Sequence, residues 1–163
     1  MSAPTCRQVT DDDLIRIRAV ADYQFGAGCG EVLFPNGVMV IKSRKTGKVK
    51  GIYHKGKLLA TLRPSDGYLA LSVAGACQLT KALDPPRYRV VVQGDVLEFI
   101  KQGRNLFSKH VASADPEIRP GEEVLITDSK DHVVAVGRAF LNGREMKWFK
   151  TGLAAKVRRG GGD

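Results

Sequence analysis

The sequence predicts an α+β chain: an N-terminal α/β domain followed by a small mixed β-barrel. Three observations carry this. One amphipathic helix precedes a run of short strands in the first half. The segment Asp84-Pro85-Pro86 then interrupts regular structure, because proline fixes φ and lacks an N–H. Finally, many short strands with one or two helices are packed into the second half. The expected division is residues 1–84, residues 87–158, and a disordered tail at 159–163.

The first helix begins after Thr10-Asp11-Asp12-Asp13, where acids suit the unpaired N–H groups and positive end of the dipole. Leu14, Ile17, Ala21 and Phe25 recur at helical spacing, and Gly26 can close the helix. The stretch Tyr23-Gln24-Phe25 reads as core packing, with a contact surface as the alternative. Strands are expected in Gly37-Val38-Met39-Val40-Ile41-Lys42, Lys48-Val49-Lys50-Gly51-Ile52-Tyr53, Leu58-Leu59-Ala60-Thr61-Leu62 and Tyr68-Leu69-Ala70-Leu71. Thr46-Gly47 and Lys55-Gly56 supply the turns between them. A helix over residues 73–83 closes this half.

The second half opens with the strand Tyr88-Arg89-Val90-Val91-Val92. Asp95 can cap a helix from Val96 to Gln102, which Gly103 ends. Strands come next at 109–112, 123–127 and 133–141, with Pro120-Gly121 as a turn. A short helix over 142–149 and a last strand over 153–158 complete the pattern.

The 163 residues carry a formal charge of +9, with 26 Lys+Arg against 17 Asp+Glu. Both halves share the surplus. A basic surface of this kind favours a polyanionic partner, since Lys and Arg displace condensed counterions from nucleic acid. No basic amphipathic helix with a broad apolar face competes for a membrane, no run has spanning length, and residues 1–10 hold no apolar leader. A cytoplasmic protein is expected. Cys6, Cys29 and Cys77 are odd in number and lack metal-ligand spacing, so free thiols, with Cys77 buried, are expected. The scattered His54, His110 and His132 make no metal pair, and no cofactor is expected.

Two segments concentrate the charge. Lys42, Arg44, Lys45, Lys48, Lys50, Lys55 and Lys57 fall in one window without an acid. Lys45 and Lys48 lie at its turn and could track phosphates, or the lysines could guard a strand edge. The second segment is Gly103-Arg104-Asn105-Leu106-Phe107-Ser108-Lys109-His110-Val111, a glycine-opened loop mixing cations with an apolar pair. Such a loop can grip a phosphate backbone while its apolar members anchor it.

The order of elements, with these residues, resembles the PUA domain, an RNA-binding module. The matching pieces are Val90-Val91-Val92, the loop opening at Gly103, Asp115-Pro116, Ile118-Arg119-Pro120-Gly121-Glu122-Glu123-Val124, Ala135-Val136-Gly137-Arg138-Ala139 and Gly152-Leu153-Ala154-Ala155-Lys156-Val157-Arg158. In the first half, Ala21-Asp22-Tyr23-Gln24-Phe25-Gly26 and Leu62-Arg63-Pro64-Ser65-Asp66-Gly67 are similar to the pre-PUA segment of archaeal tRNA-guanine transglycosylases and related archaeosine-synthesis proteins. The resemblance covers about residues 14–158.

It implies an N-terminal pre-PUA domain and a PUA pseudo-barrel that binds double-stranded RNA and the single-stranded end of tRNA. The implied contacts come from the first PUA helix, the loop after it and the last strand. On this chain they are Gly103, Arg104, Asn105, Leu106, Phe107 and Lys109, with Lys156 and Arg158. Phe107 is expected to anchor the loop in the core rather than to stack on a base.

The large catalytic barrel and cysteine zinc site of those transglycosylases find no counterpart here. The expectation is therefore a non-catalytic RNA-binding protein, or an RNA-binding subunit acting in trans with a tRNA-modifying enzyme. In that second case Val38 to Ile41 could offer an interface, though core is the plainer reading. The acids that an enzyme would use, Asp22, Asp66 and Asp115, each sit where a helix end or turn would employ them.

Overall fold

The protein is described here over residues 5–161, from a computed structural model. Residues 1–4, and residues 162–163 of the expected tail, lie outside the described residues. The chain divides into two compact units between Ala82 and Leu83.

In the first unit Thr10 caps α1 (Asp11–Phe25), its hydroxyl oxygen accepting the Asp13 N–H at 3.2 Å. Ile17, Ala21 and Phe25 recur every four residues and are buried. A five-residue helix absent from the sequence pattern, α2 (Cys29–Leu33), packs against α1. The Asp22 carboxylate holds it by accepting the Gly30 N–H at 2.7 Å. The sheet is an antiparallel meander of β1 (Arg7–Gln8), β2 (Met39–Lys42), β3 (Val49–His54), β4 (Lys57–Leu62) and β5 (Leu69–Leu71), in that spatial order. Strand β1 is likewise new to the structure.

Gln24 settles one open reading. Its amide donates to the Leu69 carbonyl at 3.0 Å and accepts the Leu69 N–H at 2.8 Å, acting as a strand partner on the edge of β5. Phe25 is core, whereas Tyr23 is exposed. Helix α3 (Val73–Leu79), capped by the Ser72 hydroxyl, ends at Leu79 rather than at residue 83. Cys29 is the buried thiol and Cys77 is exposed, the reverse of the expectation, because Cys29 opens α2 against α1. Val38 and Val40 are buried, so that segment is largely core.

The second unit takes up the proline segment as its own. Arg89 is only 2% exposed and its Nη1 donates to the Leu83 and Arg87 carbonyls at 2.5 and 3.1 Å. The same guanidinium forks onto Asp131 at 3.1 and 3.2 Å. Asp115, also buried, accepts the N–H groups of Tyr88 at 2.8 Å and Glu117 at 2.9 Å. Two buried charges therefore position the entry to β6 (Arg89–Val92).

After a 3-10 turn come α4 (Leu97–Lys101), β7 (Leu106–Phe107), a second 3-10 turn (Ser108–His110), β8 (Val111–Ala114), β9 (Glu123–Thr127), β10 (Val133–Ala139), α5 (Gly143–Trp148) and β11 (Leu153–Gly160). Among the described residues the strands lie in the order β7-β11-β10-β9-β6-β8, a nearly closed mixed barrel in which β6 and β9 run parallel and the other pairs antiparallel. Val90, Val92, Leu106, Ile118, Val124, Ile126, Ala135, Met146 and Ala155 fill its core. Helix α5 opens with a capping box, Asn142 accepting the Glu145 N–H at 2.9 Å and Glu145 accepting the Asn142 N–H at 3.1 Å.

The end of β11 differs from expectation. A disordered tail is expected from residue 159, yet Arg159 and Gly160 pair with Val136 and Ala135. Close packing explains it. A Cβ built on Gly160 would lie 2.0 Å from the carbonyl oxygen of Lys101, so only glycine lets the strand pass the end of α4. Gly160→Ala should therefore lower the unfolding free energy by about 1–3 kcal/mol in urea titration, the usual cost of overpacking. A true tail residue would register no change.

Candidate nucleic-acid interface

The loop after α4 is built by a helix stop. Gly103 has φ +88°, a left-handed value that side chains disfavour. Its N–H bonds the Ile100 carbonyl at 2.9 Å, and the Arg104 N–H bonds the Phe99 carbonyl at 3.1 Å. This is the Schellman pairing, which satisfies carbonyls that a helix C-terminus otherwise leaves orphaned. The hydrophobic contact that accompanies this motif is replaced by a cation over a ring. The Arg104 guanidinium lies 5.6 Å from the centroid of Phe99. The backbone turn thus aims Arg104 along a half-exposed aromatic face. No atom lies within 4 Å of where a Cβ on Gly103 would be, so the backbone is open to approach.

Asn105 serves the fold. Its side-chain carbonyl accepts the Val157 N–H at 3.0 Å and fastens the loop to β11. Leu106 is fully buried and is the anchor. Phe107 is 46% exposed, which corrects its expected role as the anchor. In β7 adjacent side chains face opposite ways, and Leu106 takes the inner side. Lys109 lies in the second 3-10 turn and is exposed.

On β11, Lys156 is exposed and lies directly opposite Arg138 of β10. Arg158 is committed elsewhere, forking onto the buried Glu123 at 2.9 and 2.5 Å. Among the described residues, no carboxylate forms a salt bridge with Arg104, Lys109 or Lys156.

The basic hairpin of the first unit is less uniform than its sequence. Lys42 pairs with Asp13 of α1 at 2.8 Å, and that ammonium holds the Asp13 carboxyl below its usual range. Lys45 and Lys48 are exposed at the β2–β3 turn. A shallow cavity of about 250 Å³ lies beside it, lined by Thr5, Arg7, Lys42, Ser43, Arg44 and Gly47.

The three acids weighed for catalysis all have structural work. Asp22 holds Gly30, Asp115 holds Tyr88 and Glu117, and Asp66 accepts the Tyr68 N–H at 2.9 Å while pairing with Arg63 at 3.2 Å. Among the described residues, no three of His, Cys, Asp and Glu cluster as metal ligands, and no helix is long and apolar enough to cross a membrane.

Comparison with known proteins places these features. Residues 15–86 match the family described as the patch-forming domain C2 of tRNA-guanine transglycosylase, and residues 88–161 match the PUA domain. The tRNA-guanine(15) transglycosylase of Thermococcus onnurineus is 49% identical over 144 residues, covering 88% of this chain and 24% of the relative. That of Methanothermobacter thermautotrophicus is 44% identical over 154 residues, covering 94% and 24%. The chain thus spans about a quarter of the length of these relatives. Among solved structures, a hypothetical protein of Pyrococcus horikoshii OT3 superposes with a TM-score of 0.76 at 22% identity, covering 98% of this chain and 96% of that one. A PUA-domain protein of Thermoplasma acidophilum gives 0.69 at 23%, covering 98% and 95%; at these identities the likeness is one of fold.

The helix stop generates a prediction. Gly103→Val should cost about 1–2 kcal/mol of stability, the penalty of a left-handed side chain. Gly103→Asn should cost less, because asparagine tolerates that conformation. Urea unfolding of the two variants reads the difference.

Proposed function

We propose, from a chain homologous to the C-terminal region of archaeal tRNA-guanine(15) transglycosylases and composed of their C2 domain followed by a PUA domain, that this protein binds structured RNA, tRNA foremost, and performs no catalysis itself. The observation that carries the reading is the loop at Gly103. It exposes Arg104 on a rigid helix stop, beside an open backbone, with Lys109 and Lys156 free of carboxylate partners among the described residues.

The physical work rests on that geometry. Phosphate oxygens accept from Arg104 and Lys109, and the open backbone at Gly103 lets the sugar-phosphate chain come close. Because A-form RNA hides its deep groove, recognition goes by shape and 2′-hydroxyls, with little sequence readout. Lys45 and Lys48 offer a second phosphate track on the first unit. A related reading has the protein supply this affinity in trans to a tRNA-modifying enzyme. The homology to enzymes of which this region is one part favours it. Co-purification from the native host separates a lone binder from a subunit, and guanine exchange by the purified chain alone would overturn the non-catalytic reading.

Neutralising about five phosphates makes log affinity fall with log salt at a slope of roughly −3.5 to −4.5. Filter binding to total tRNA at several salt concentrations measures this, and salt-independent binding defeats the proposal. Arg104→Ala with Lys109→Ala should weaken binding while the melting temperature stays nearly constant, since exposed charges contribute little to folding. Normal binding by that double variant would move the site to the hairpin at Lys45.

A further inference from the structure

Besides Phe99, which lies under Arg104, the second unit leaves four aromatic side chains outside its core. Trp148 is 84% exposed, Phe140 63%, Phe107 46% and Phe149 44%. The N–H groups of Phe140 and Leu141 both bond the Ala154 carbonyl, at 2.8 and 3.2 Å. Phe107 lies opposite Leu153, and the Ser108 N–H bonds the Gly152 carbonyl at 2.9 Å. The exit of β10 and strand β7 therefore converge on residues 152–154, and α5 packs against the second 3-10 turn that follows β7. Helix α5 does not need Trp148 for its own anchoring, because Met146 and Gly143 supply its buried face. Among the described residues, neither Trp148 nor Phe140 stacks on another ring.

The charge around these rings selects the occupant. Residues 140–157 contain Arg144, Lys147, Lys150 and Lys156 against one acid, Glu145, which is engaged in the capping box. Lys147 and Lys150 are exposed on either side of Trp148 in the sequence. A partner complementary to this surface offers negative charge at short intervals together with flat apolar faces. An unpaired nucleotide strand has both, whereas a duplex keeps its base faces stacked inside.

We propose that α5 and the loop after it form a stacking site for unpaired nucleotides, with Trp148 receiving a base and Lys147 and Lys150 the flanking phosphates. The site lies on α5, which packs against the second 3-10 turn that carries Lys109. It rests on the RNA-binding reading above and adds to it a base-stacking site on α5, outside the helix, loop and last strand that the resemblance implies.

Trp148 is the chain's only tryptophan, so its fluorescence reports this site alone. The full-length protein is titrated with a short unstructured oligouridylate, a blunt RNA duplex and heparin, with filter binding in parallel. The oligouridylate should quench the fluorescence with the same midpoint as binding, and the duplex and heparin should quench little. Trp148→Ala should weaken oligouridylate binding about five- to hundredfold, the range for loss of one stacked base. Trp148→Phe should restore part of it, with duplex binding and melting temperature unchanged in both. Oligouridylate binding without quenching and with unaffected Trp148→Ala affinity overturns this proposal and leaves the general reading standing. Equal quenching by heparin also overturns it, because no base is then involved. Failure to bind any RNA overturns both.

Discussion

Strand β11 is the member on which the second unit depends, and its constraint is backbone contact too close for a side chain. A Cβ on Gly137 would meet the Lys156 carbonyl oxygen at 2.4 Å, and one on Gly160 would meet that of Lys101 at 2.0 Å. Between those approaches, the Val157 N–H is held by Asn105. One strand thus fixes β10 on one side, β7 on the other, and the end of α4. The Gly103 loop is exposed, yet it is suspended between a helix stop and a hydrogen bond to β11. Its cations are therefore presented by rigid backbone although their side chains face water, and rigidity lowers the ordering cost of binding.

Charges in this protein fall into two populations. Arg89 with Asp131, Arg158 with Glu123, and Lys42 with Asp13 are paired and at least partly buried. Burial makes each partner costly to remove, since the other would be left uncompensated. Arg104, Lys109, Lys156, Lys147 and Lys150 lie in water with no carboxylate bridge among the described residues. The first population builds the fold. The second carries the field that a polyanion meets, and of its members Arg104 also covers Phe99 at the helix stop.

Most of the fold was legible because it is written in short-range periodicity. The four-residue spacing of Ile17, Ala21 and Phe25, and the β-branched runs of β2, β6 and β9, are local signals. The elements that escaped are set by distant partners. β1 exists only as a pairing with β2, and β7 only as a pairing with β11. Helix α2 was hidden by Gly30, which helix propensity disfavours but which the Arg18 carbonyl requires, at 2.3 Å from its absent Cβ. At the interface, the Gly103 stop could be read from the sequence, and its φ agrees. Which of Leu106 and Phe107 faced inward could not be read, because a two-residue strand has no alternation to register. Nor could the commitment of Arg158 to a glutamate 35 residues away. Trp148 carried a signal that went unused: a lone tryptophan between lysines at the end of a capped helix.

The short margins of the sheets have a consequence for how copies of this protein meet. Among the described residues, the first sheet ends in a two-residue strand on one side and a three-residue strand on the other, with Gln24 already occupying Leu69 at the latter. The second ends at β7, also two residues long, and at β8, four residues against which α5 packs. Such margins present few unsatisfied donors and acceptors in a row, so an incoming strand finds little ladder to extend. The like charge surplus on every copy opposes edge-to-edge pairing further.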